Sequence, residues 1–174
     1  MALFCAACLI GGQNAMASEA LITIHGKPMF TPEEVMNRFD YEIKRADNPS
    51  LAVQSMSKTD VKEGVSYLVA LKANDLVMLE WFKKHKDQER AVLEKTNKDC
   101  KNSNTSCKEW LAANKNRMFA EKHFDEKHIP QPQDLSERQQ AMMDTYKKEL
   151  GIKVHEDNIN KVVDRIVSKW NIQK

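Results

Sequence analysis

Apolar residues recur along most of this chain at three- and four-residue intervals, most clearly near its end. Ile159, Val162, Val163, Ile166, Val167 and Trp170 follow the i, i+3, i+4, i+7, i+8, i+11 series, which places all six on one stripe of a helix. Nearer the start, Thr31-Pro32-Glu33-Glu34 has the form of a helix N-terminus: a Thr cap, Pro at the first helical position and Glu three residues after the cap. Val35, Phe39 and Ile43 then share a face. Pro49 predicts a stop near Asp47-Asn48, because its ring disfavours helical angles at the residue before it. Asp60-x-x-Glu63 reads as a second helix start. It leads into Val61, Val65, Leu68, Val69, Leu71, Leu76, Val77, Leu79 and Phe82, apolar on more than one side, and then into a charged continuation from Lys83 to Lys98. Ser106-x-x-Glu109 opens a third helix bearing Trp110, Leu111, Met118 and Phe119, which ends before the prolines of Ile129-Pro130-Gln131-Pro132. Met142, Met143, Tyr146 and Leu150 line a fourth, closed by Gly151, with Ile152 placed to fold back over its last turn. Leu21-Ile22-Thr23-Ile24 is β-prone and runs into a turn-forming His25-Gly26-Lys27-Pro28. These elements predict a mainly α domain of about five helices with a short N-terminal strand or hairpin.

Composition agrees with that pattern and narrows the partners. The chain has 174 residues, 41% hydrophobic and 30% charged, with five Gly and five Pro, which suits one modest helical core. Twenty-seven Lys and Arg against 25 Asp and Glu leave a net charge of +2, too small for a general phosphate-binding field, so nucleic acid is not implied.

The first seventeen residues carry no charged side chain. An apolar run from Ala2 to Ile10 precedes Ala15-Met16-Ala17, whose small residues suit signal-peptidase cleavage before Ser18. Residues 1–17 thus read as a signal peptide without the usual basic start, residues 18–174 as a single exported domain, and the location as periplasmic. The alternative is a buried N-terminal helix. The run is roughly half the length of a membrane span, so no stable span is implied. Removing it leaves two cysteines, Cys100 and Cys107, in a polar stretch near 98–107 that reads as a loop. In an oxidising compartment a disulfide there would contribute about 2 to 3 kcal/mol. Two free surface thiols, or half of a metal site, are the other readings, although no second Cys pair exists to complete a zinc ribbon.

Candidate chemistry is sparse. His123-Phe124-Asp125-Glu126-Lys127-His128 is the densest group of metal-ligand types, but residues five apart diverge by about 140° on a helix. It reads as a solvated helix end, not a metal site. The sequence has no Gly-rich phosphate loop, Gly-x-Ser-x-Gly elbow or Cys-x-x-Cys pair. Neither catalysis nor a cofactor is indicated, although residues scattered in sequence can still meet in space. Nine methionines supply flexible apolar side chains, which serve either core filling or adaptable binding.

Two segments carry a family resemblance. Ile24-His25-Gly26-Lys27-Pro28-Met29-Phe30-Thr31-Pro32-Glu33-Glu34-Val35 resembles the opening of the SurA-type periplasmic chaperones, in which a strand and an Asn-Gly-x-Pro-Ile turn lead into a helix. Tyr146-Lys147-Lys148-Glu149-Leu150-Gly151-Ile152-Lys153-Val154-His155-Glu156-Asp157-Asn158-Ile159 resembles the same family's helix, Gly-Ile-x-Val link and following helix. His25 stands where that family has Asn, the Cys100–Cys107 stretch has no counterpart, and the chain has no parvulin isomerase segment. The resemblance implies the chaperone module alone, holding unfolded or extended envelope polypeptides on apolar helix faces. Val35, Phe39, Leu68, Leu76, Met142 and Tyr146 are the candidate contacts. A structural adaptor with one fixed envelope partner is the competing reading, and the long helix after Val61 would permit a homodimer by helix exchange.

Overall fold

A computed structural model describes residues 19–101 and 105–172. Among the described residues it contains three strands and seven helices, so the chain is mainly α with a small sheet near its N-terminus. The expected signal peptide lies outside the described residues. The described residues gather into two compact units. Of these, one holds the described residues up to Ala73 together with those from Gly151 onward; the other is Asn74–Leu150.

The first unit is built around β1 (Ile22–Ile24), which lies between β2 (Lys27–Phe30) and β3 (Ile152–Val154) in an antiparallel sheet. β1 and β2 are joined by a two-residue turn, His25-Gly26, with φ of 48° and 80°. Both angles are left-handed, as the turn that matches strand twist requires. Gly151 closes the preceding helix in the left-handed conformation, as expected. Ile152 then pairs with Ile24, because Gly151, at φ 67°, turns the chain and its carbonyl accepts the His25 N–H at 3.0 Å. The His155 N–H closes the other end of this pairing on the Leu21 carbonyl, also at 3.0 Å.

Helix α1 (Pro32–Arg45) begins with the predicted capping box of Thr31 and Glu34. It packs against α7 (Glu156–Trp170), whose stripe buries Ile159, Val162, Val163 and Ile166. The Asn158 side chain donates to the Ala20 carbonyl at 2.9 Å, which ties the start of α7 to the chain entering β1. Helix α1 stops at Arg45, next to the predicted Asp47–Asn48, and Asn48 is extended before Pro49 (φ −135°, ψ 92°); it caps a short α2 (Pro49–Gln54), with its Oδ1 accepting from the Leu51 N–H at 3.0 Å. Helix α3 (Lys58–Lys84) starts earlier than Asp60 predicts. Ser57 and Asp60 form the reciprocal cap, so Asp60 occupies the third position of the box.

The long helix expected to reach Lys98 breaks at His85. Its Nδ1 lies 2.8 Å from the Trp81 carbonyl and its ring stacks on the Trp81 indole at 4.2 Å. The Trp81 carbonyl also keeps the His85 N–H at 3.1 Å, and the chain leaves the helix at His85 itself, where φ is −115° and ψ 73°. Helix α4 (Lys86–Cys100) follows, and this break and α2 account for seven helices in place of five. The second unit also contains α5 (Cys107–His123), opened by the predicted Ser106–Glu109 box, and α6 (Glu137–Glu149). Of the polar stretch near 98–107 expected to be a loop, Lys98 to Cys100 are helical and Cys107 already begins α5. Cys100 and Cys107 lie at disulfide-bonding distance, with Cα atoms 5.1 Å apart.

Candidate functional site

The sequence-predicted contacts divide by burial and by unit. Val35, in α1, is 0% exposed and Leu76, in α3, is 4% exposed. Both fill the core of their units because they lie on helix sides already covered. Phe39 and Leu68 are half-buried in the first unit. Met142 and Tyr146 are half-buried in the second, and there the fold brings them to the same histidine.

That histidine is His123: Asp125 to His128 are exposed, as a solvated helix end predicts, but His123 is half-buried and Phe124 buried. His128 is exposed, but His123 lies in an aromatic cluster. Its ring is 4.5 Å from Phe119, 5.2 Å edge-on to Trp81 and 5.3 Å from Tyr146. Its Nδ1 is 3.3 Å from the Tyr146 hydroxyl, while its Nε2 is buried without a hydrogen-bond partner. Desolvation, then the charges of Lys122 and His85, lower its pKa, so neutral imidazole is favoured. Burial, with Glu149, raises that of Tyr146. The signal was present in sequence: Trp81 and His85, and Phe119 and His123, are each four residues apart, so each pair shares a helix face. Beside this cluster a cleft of about 390 Å³ is lined by His123, Phe124, Ser136, Arg138 and Met142.

The first unit has a cleft of about 470 Å³, between α2 and the end of α7, lined by Pro49, Val53, Gln54, Trp170 and Asn171. Trp170 is held there by donating its indole N–H to Asp40 Oδ1 at 3.1 Å. Lys169 pairs with the same carboxylate, and its hydrogen bond is the first cause of the lowered Asp40 pKa. Leu51, on α2, is 60% exposed and Tyr41, on α1, 50%. Tyr41 lies under two cations, with the Arg45 guanidinium 5.2 Å and the Arg38 guanidinium 5.7 Å from its ring. Sequence periodicity misses Leu51 because α2 is too short to show a repeat.

Each of the two clefts is lined by apolar and polar side chains together. Among the described residues no group of three His, Cys, Asp or Glu could hold a metal, and no helix is long and apolar enough to cross a membrane. Comparison with protein-family models, with curated proteins and with solved structures gives no match.

Proposed function

We propose that this chain is an exported, periplasmic and non-catalytic chaperone-like module that binds unfolded or extended envelope polypeptides through apolar helix faces. The observation that supports it most is the meeting of the two SurA-like segments. They are more than a hundred residues apart in sequence, yet Ile24 of the first pairs with Ile152 of the second, and α1 packs on α7. Two short motifs that belong to one module would be joined in this way. The exposed Leu51 and Tyr41, the Trp170 shelf, and the half-buried Phe39, Leu68, Met142 and Tyr146 supply apolar contacts among polar groups. No covalent step is required of such a surface.

The test is suppression of aggregation. The purified chain from Ser18, at several-fold excess, is expected to keep an unfolded outer-membrane protein soluble. Leu51→Asp, at an exposed position, is expected to weaken that holding several-fold while leaving thermal unfolding unchanged. No suppression by the unsubstituted chain would end the proposal, and one stoichiometric companion on purification from the native host would favour a fixed-partner adaptor.

A further inference from the structure

We propose that the Cys100–Cys107 bridge is a redox latch on the distal half of the α4–α5 hairpin, whose interior is too polar to stay closed without it. The two helices pack against each other and the bridge joins them at the tip. At the base the interior is apolar: Val92, Phe119 and Ala120 are fully buried, beside Trp81 and Phe82. Towards the tip it changes. Thr96 and Asn114 are 4% and 2% exposed, and Asn114 donates through Nδ2 to Thr96 Oγ1 at 3.3 Å and to Asp99 Oδ2 at 2.9 Å. Asn114 Oδ1, Trp110 Nε1 and Arg117 Nε are buried with no hydrogen-bond partner. Residues 110, 114 and 117 fall on one stripe of α5, so these three atoms form a seam along the hairpin interior. Each orphaned polar atom opposes closure, because opening returns it to water.

Cys107 is exposed and Cys100 half-buried, so the bridge is open to exchange. A dithiol reductant suffices. Its thiolate attacks one bridge sulfur, the S–S bond breaks, and the other sulfur leaves as thiolate. The reductant's second thiol then resolves the mixed disulfide. The protein gains two electrons and two protons as two thiols, and the dithiol becomes a disulfide. With the latch open, Trp110 and Leu111, both half-buried, become available as apolar surface. This inference does not depend on the proposed function.

Hydrogen exchange of the full chain, oxidised and after treatment with dithiothreitol, tests it. For a sequence separation of 7, loop-closure entropy corresponds to about 50- to 100-fold in the closing equilibrium. Protection at the amides of 95–100 and 110–114 is therefore expected to fall by about that factor on reduction, while amides near Phe82 and Phe119 change less than about threefold. A Cys100→Ser, Cys107→Ser double variant should match the reduced protein. Unchanged protection at the tip would overturn the proposal. So would a uniform loss over 74–150, which would make the bridge a staple for the whole unit.

Discussion

The contact between His25 and Gly151 permits a sharp test of how the first unit is closed. Gly151 has φ of 67°, and a Cβ added there would overlap the His25 imidazole ring. Gly151→Ala therefore carries two separable costs. A left-handed alanine costs about 1 to 2 kcal/mol, offset by about 0.4 to 1 from the lower entropy of the unfolded chain. Pushing the His25 ring out of its rotamer adds about 0.5 to 1.5 kcal/mol. His25 is exposed, so the ring moves without opening the core, and a net loss of about 1 to 2 kcal/mol is expected. His25→Asn removes the ring and suits φ of 48° better, since Asn tolerates the left-handed region; on its own it should be neutral or stabilise by about 0.5 kcal/mol. In the double variant only the backbone cost of alanine remains, so the cycle should give a favourable coupling of about 1 kcal/mol. Native-state hydrogen exchange at the buried α7 amides, from Ile159 to Ile166, reports the stability of this unit. Additivity within about 0.3 kcal/mol would show that the ring and Gly151 do not meet, and would refute the argument.

Ile166→Ala removes a side chain that is 1% exposed, and should destabilise the first unit by about 2 to 5 kcal/mol in urea unfolding. Ser106→Ala takes away the oxygen that accepts the Glu109 N–H at 3.2 Å, with an expected cost of about 1 kcal/mol and faster amide exchange confined to the first turn of α5. His123 has a pKa below its ordinary value of 6.5, so the unfolded chain binds its proton first as pH falls. The stability its neutral form confers is present above pH 6.5 and is lost as pH falls through the lowered value. Denaturant midpoints between pH 7.5 and 5 should show this decline, and His123→Gln should flatten it; an NMR titration placing His123 at or above 6.5 would contradict the assignment.

The sequence alone determined those elements whose cause is local. The capping boxes at Thr31 and Ser106 close within three residues, and the α7 stripe repeats over three turns, so each needs only its own neighbours to be recognised. The cysteine pair was legible for the same reason: seven residues separate the two sulfurs. Tertiary structure decided what depends on distant partners. Ile152 reads from sequence as a residue following the helix that Gly151 closes, and its strand pairing depends on Ile24, far earlier in the chain. The break at His85 has no Gly or Pro to announce it; it appears only in the folded chain, where His85 leaves helical angles and its ring stacks on the Trp81 indole. Periodicity identified Val35 and Leu76 as apolar but not as covered, because one helix's pattern contains nothing about the helices packed against it. His123 was charged surface in the sequence and aromatic interior in the fold, since Trp81 and Tyr146 reach it from 42 residues before and 23 after.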